Sequence, residues 1–239
     1  MKILAIECSA SPASAAITED GKVIASSFVN IKLTHSQTLL PMVASVLSTS
    51  LTDIDGIDGY AVSAGPGSFT GIRIGISAVK GLAAPKSTPC AAVSTLYAMA
   101  ENYRDTDCTV CAVMDARCGQ VYNAIFKIKN RKITRLCDDR ALMCKELAEE
   151  LKKMSQKKQN RVIIVGDGTD VFYPYAENII GVETSDKTRR YQNAVGVALA
   201  AEQLFKDGAA VTPESLLPVY LRLPQAEREL KKKQEENVK

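Results

Sequence analysis

The feature that most constrains this chain is a strand–loop–helix signal at residues 60–84, YAVSAGPGSFTGIRIGISAVKGLAA. Residues 60–64 read as a short buried strand, and Gly65, Pro66, Gly67 and Ser68 break it into a sharp loop. From Phe69 onward Ile72, Ile76, Val79 and Ala83 recur at helical spacing. Gly71 and Gly75 then fall on one helix face. Two glycines inside a helix cost roughly 2 kcal/mol relative to alanine, so another backbone is expected to approach closely there. Across residues 69–84 only Arg73 and Lys80 are ionisable. A packed helix is expected.

A second charge-poor helix precedes it. Residues 33–52 contain no lysine, arginine, aspartate or glutamate. Thr34 and Gln37 have the form of a capping box, and Leu39, Leu40, Val43, Val46 and Leu47 follow at helical steps. Pro41 either sits in the first turn of a late helix or kinks an earlier one. A helix with one face on its own core normally carries charge on the other. Here Ala44, Ser45, Ser48 and Met42 are expected outward. The two helices therefore read as a side-by-side docking surface. The competing arrangement buries both inside a three-layer domain.

The order of elements repeats along the chain. An apolar run ending in Glu7 precedes two strands joined at Asp20-Gly21, and an apolar run ending in Asp115 precedes two more joined near Asn130. Residues 142–154 read as an amphipathic helix, 161–165 as a strand ending in Gly166-Asp167-Gly168, and 192–205 as a late helix. This pattern predicts an α/β duplication, with a first lobe at 1–106, a second at 107–222, helix 192–206 crossing back onto the first lobe, and a flexible charged tail at 223–239. Two such halves with an acid closing each first strand describe the actin-like/Hsp70/sugar-kinase architecture, in which a nucleotide lies in the cleft. Two ordinary α/β units with strand-terminal acids fit the pattern equally.

Bulk properties narrow the class. With 46% hydrophobic residues over 239, a sizeable core is expected. A net charge of +3 gives no argument for nucleic acid, and from Arg222 onward six basic and four acidic residues read as a solvated tail. Glu7 interrupts the initial apolar run, no stretch approaches a membrane span, and seven cysteines fit reduced thiols. A soluble cytoplasmic protein with no membrane association is expected.

The candidate sites are few. Gly65, Gly67 and Ser68, with Glu7 and Ser9, form a weak nucleotide-binding set, since a loop before a helix N-terminus can cradle phosphate. The loop has neither Walker nor dinucleotide spacing, and a structural turn is the default. Cys108 and Cys111 enter a strand, which sends their thiols to opposite faces and favours core roles over zinc or redox chemistry. His35 is the only histidine, with no Gly-x-Ser-x-Gly elbow to pair with. No metal site is expected.

The segments ILAIECSASPASAAI, HSQTLLPMV, AVSAGPGSFTGIRIGIS, MDARCGQVY and PVYLR, in this order, resemble the TsaB (YeaZ) family, glycoprotease-like relatives of the peptidase M22 type. The resemblance spans essentially the whole chain, and residues 65–75 are its most specific piece. It implies a duplicated actin-like (ASKHA, ribonuclease H-like) fold and a role in forming threonylcarbamoyladenosine on tRNAs that read codons beginning with A. It further implies a non-catalytic partner of the transferase TsaD, joined by the ATPase TsaE, with a homodimer when alone and tRNA contact indirect. No cofactor of its own is implied, and ATP or ADP would sit at the interface of the complex. The partner-facing set it implies is His35, Leu39, Leu40, Met42, Val43, Val46, Phe69, Ile72, Arg73, Ile76 and Val79. Glu7 stands where relatives often carry aspartate. An active glycoprotease-type peptidase and a sugar-kinase-type phosphotransferase remain the alternatives.

Overall fold

The computed structural model describes residues 1–31, 33–157 and 161–222. The charged tail expected at 223–239 lies outside the described residues.

Alternation of side chains decides the first half. In β1 (Lys2–Glu7) Leu4 and Ile6 face one side, and Ile3 and Ala5 the other. Both sides are apolar, so the strand needs cover on both faces. It pairs antiparallel with β2 (Ala13–Glu19), which pairs with β3 (Lys22–Val29) through a turn at Asp20 and Gly21, both at positive φ. β4 (Gly59–Gly65) and β5 (Cys90–Ser94) add in parallel on the other side, giving the order β3-β2-β1-β4-β5. The second half repeats that order. β6 (Cys108–Arg117), β7 (Gln120–Lys129) and β8 (Lys132–Arg135) are antiparallel, and β10 (Val162–Val165) and β11 (Val182–Thr184) extend β6 in parallel. The β7–β8 turn is Asn130-Arg131, again at positive φ, so its counterpart is Asp20-Gly21. β9 (Arg140–Met143) pairs with the start of β7. It takes the first residues of the helix expected at 142, and α4 runs over Cys144–Lys157 instead.

Helices cover the sheets in an exchanged manner. α1 (His35–Thr49) and α2 (Phe69–Ala83) pack on the Leu4/Ile6 face of the first sheet. The opposite face, Ile3, Ala5, Ala16, Ala61 and Ala91, is covered by α6 (Ala194–Lys206), which comes from the second half. In return α3 (Thr95–Glu101), from the first half, places Leu96, Met99 and Ala100 against Val110, Ala124 and Phe126 of the second sheet. α3 and α6 touch where Gly196 lies under the Ala98 carbonyl, leaving no room for a Cβ. The far face of the second sheet is covered by α4 and the one-turn α5 (Thr169–Phe172).

Local details differ from expectation at α1. Thr34 holds the N-cap position, but its hydroxyl caps no amide, and Pro41 sits inside a continuous helix. Cys108 joins the core under α3 and Cys111 the core under α4, on opposite faces of β6. No helix among the described residues is long and apolar enough to cross a membrane.

Candidate functional site

Two places carry the candidate residues: a cleft between the sheets and the outer faces of α1 and α2.

The cleft has a volume of about 620 Å³ and lies where β1, β4, β6 and β10 end. Ser9, Gly67, Ser68 and His35 line it from the first half, and Asp115, Arg117, Tyr122 and Asp167 from the second. Glu7 is absent from its wall. Its carboxylate is fully buried and accepts hydrogen bonds from the Ser9 amide (2.6 Å), the Ser9 hydroxyl (2.6 Å) and the Ser63 hydroxyl. Burial pushes this carboxyl above the usual range, and the serine donors oppose that only in part. Glu7 therefore organises the end of its own strand.

The loop at 65–68 is likewise occupied with its own chain. Gly65, at φ +130°, leaves no space for a Cβ against the Val219 carbonyl, and Gly67 none against the Ser9 carbonyl. The Ser68 amide donates to the Ser9 carbonyl at 2.6 Å, and the Ser68 hydroxyl accepts from the Gly71 amide as the cap of α2. Pro66 has no amide to offer. The Ser68 and Gly71 amides are thus engaged within the chain itself.

The second half supplies carboxylates to the cleft. Asp115 is exposed and accepts from the Arg117 amide at 2.7 Å. Asp167 accepts from Gln192 Nε2 at 2.6 Å, and burial pushes its carboxyl up to about 6, with Asp115 and Glu7 adding to the shift. The Gly166-Asp167-Gly168 turn is pressed onto the end of β6, where a Cβ on Gly168 would meet Met114 backbone. His35 Nε2 lies 2.7 Å from the Ala10 carbonyl, and its Nδ1 is buried without a partner among the described residues. Arg117, Tyr122, Tyr220 and Arg222 are cleft residues not singled out from sequence. They lie within the MDARCGQVY and PVYLR segments, which signalled family but not place.

The partner-facing set divides in two. Leu39, Met42, Val43, Val46, Ile72, Ile76 and Val79 are buried in this chain's own core, against Leu4, Ile6, Ile17 and Val62. That expectation is corrected: apolar spacing marks the face turned to the sheet. Met42, expected outward, is buried too. Leu40 and Arg73 are exposed, Phe69 is half-buried, and His35 opens onto the cleft. The outward face of α1 is Leu40, Pro41, Ala44, Ser45 and Ser48, and that of α2 includes Arg73, Ser77 and Gly81. The glycine pair also finds its reason within the chain. A Cβ on Gly71 would lie 2.1 Å from the Cys8 carbonyl oxygen, and one on Gly75 would lie 2.8 Å from Cys8 Sγ.

The second half provides an internal comparison. By topology α4 is the counterpart of α1, and its exposed positions are Lys145, Glu146, Glu149, Lys152 and Lys153. Of two equivalent outer helices, one is charged and one is bare.

A duplicated sheet of order 3-2-1-4-5, exchanged helices and a central cleft define the actin-like class. The family described as "TsaD: tRNA N6-adenosine threonylcarbamoyltransferase" matches residues 23–230. The tRNA threonylcarbamoyladenosine biosynthesis protein TsaB of Bacillus subtilis (strain 168) is 33% identical over 95% of this chain and 96% of its own. Its namesake in Escherichia coli (strain K12) is 35% identical over 93% and 95%. The solved structure "YeaZ from Pseudomonas aeruginosa" superposes with a TM-score of 0.78 at 26% identity, covering 92% of this chain and 99% of that one. The chain belongs to the TsaB (YeaZ) family, within the TsaD-like glycoprotease-related group.

Proposed function

We propose that this protein is a non-catalytic subunit in threonylcarbamoyladenosine formation on tRNA, and that it docks a TsaD-type transferase through the outer faces of α1 and α2. The role in this biosynthesis follows from the TsaB relatives. The observation that carries the docking is the contrast between α1 and α4: the same position in the fold bears Leu40, Pro41, Ala44, Ser45 and Ser48 in one half and five charged residues in the other. Depletion of charged residues is what marks the centre of a protein interface.

The nucleophiles support a passive role. Five of the seven thiols are buried. Burial pushes Cys8 and Cys111 far above the range in which a thiolate forms, and Cys90 up to about 11. In the same proposal a TsaE-type ATPase is the third component, a homodimer forms when the transferase is absent, and tRNA is held by the partner. Any ATP or ADP belongs to the assembled interface, in the cytoplasm where tRNA is modified. Asp115 and Asp167 across the cleft are what speaks for a phosphotransferase instead; tight magnesium–ATP binding with kinase turnover by the isolated chain would establish that alternative.

The deciding experiment is co-purification with a TsaD homologue from the same cell, followed by nucleoside analysis of tRNA after depletion. Association and loss of threonylcarbamoyladenosine are expected. Unchanged modification after depletion overturns the proposal.

A further inference from the structure

After α6 the chain returns across the first half and reaches the cleft wall at residues 219–222. Val211 pairs with Cys90 at 2.8 Å in both directions, and Leu216 is fully buried in the core beneath α2. Beyond Leu216 the hold becomes shallow. Leu217 is 65% exposed, Val219 50% and Tyr220 37%. Three residues fix this stretch. The Val219 amide donates to the Ala64 carbonyl at 2.7 Å. The Tyr220 ring stacks on Phe69 with centroids 4.7 Å apart, and its hydroxyl accepts from Arg73 Nε at 2.9 Å. Arg222 Nη1 donates to the Ala116 carbonyl at 2.6 Å, on β6 of the second half.

The geometry points to residues 217–222 as a latch that spans the cleft mouth and covers the first turn of α2, so that a protein docking on α2 must displace it. Two residues of the segment sit on different sheets, Val219 on β4 and Arg222 on β6, so it ties the halves together where the cleft opens. Its central residue occupies Phe69 and Arg73, which belong to the proposed docking face. An aromatic side chain held by one stacked ring and one hydrogen bond, and more than a third exposed, is anchored weakly enough to exchange. The segment before it is anchored by buried Leu216, so release pivots there and leaves the core intact.

This inference rests on the docking face proposed above, and the test separates the two. The full chain and its Tyr220→Ala and Arg222→Ala variants are titrated against a purified TsaD homologue, with hydrogen exchange followed in the first turn of α2. Removing the stack should tighten binding about three- to tenfold, the range expected from one aromatic pair. Arg222→Ala, which leaves α2 untouched, should shift binding in the same direction, and both variants should exchange faster at residues 69–73 while keeping the parent melting profile. Absence of binding by the parent chain overturns the docking face. Binding by the parent with unchanged or weaker binding by either variant overturns the latch alone.

Discussion

The carbonyl oxygen of Cys8 lies directly over Gly71, 2.1 Å from where a Cβ would stand. Cys8 Sγ in turn donates to the Gly71 carbonyl at 3.2 Å, so strand end and helix start are held face to face. Gly71→Ala should cost about 2–4 kcal/mol, because backbone on both sides has to move. Gly81, on the same helix with no atom near its missing Cβ, is the control. Gly81→Ala should gain up to about 1 kcal/mol. Urea unfolding of the two variants checks this, and equal effects would remove the close-approach argument.

Substitutions on α1 should separate its two faces. Val43→Glu places a carboxylate in the core under β1 and β2 and should give insoluble or unfolded protein. Ser45→Glu, one turn face away and exposed, should leave the melting temperature within about 2 °C of the parent. It should nevertheless abolish co-purification with the transferase. Retained association would remove α1 from the interface.

Asp167 predicts a pH effect of definite sign. Its folded carboxyl titrates near 6 against an ordinary 3.8. Its contribution to stability is complete below the ordinary value and is lost as pH rises through about 6. Asp167→Asn keeps the acceptor for Gln192 and removes the buried charge. The variant should match the parent at pH 3.5 and exceed it at pH 8 by about 1–2 kcal/mol, after allowing for solvent at the cleft. A difference independent of pH, in denaturant titrations at both values, would contradict the assignment.

Thiol chemistry gives a simpler check. Cys118 is exposed at the β6–β7 turn, Cys137 is half-buried and the other five are buried. Native protein should label first at Cys118, slowly at Cys137, and at the rest only on unfolding. Peptide mapping after brief alkylation reads this out. Early labelling of Cys8 would mean that the seal between β1 and α2 is looser than described.

Much of this architecture was legible because strands and helices impose different periods. The repeat of an apolar run ending in Glu7 and then in Asp115 anticipated two sheets of the same order. The Gly71/Gly75 pair announced a close backbone approach, although the partner proved to be Cys8 and not another helix. Orientation was harder. Ile76 and Val79 mark a buried face equally well whether the cover is this chain's sheet or a second protein, and only the surroundings decide. β9 was missed because four residues pairing with β7 carry no period of their own against the stronger helical signal beginning at Cys144. The cleft residues Arg117, Tyr122 and Arg222 lie far apart in sequence and meet only through the duplicated topology. Asp167 was visible as a turn, but its raised carboxyl comes from burial, with Asp115 and Glu7 adding to it and the Gln192 hydrogen bond opposing it, and no local pattern connects these groups.

The exchange of α3 and α6 has a consequence for how the molecule is made. The inner surface of the first sheet, with Ile3, Ala5 and Ala16, is sealed by a helix that ends at Lys206. During vectorial synthesis the earliest strands must therefore wait for nearly the last helix to leave the ribosome. A nascent chain halted before Ala194 would expose that apolar sheet to water, so neither half is expected to survive as an autonomous fragment.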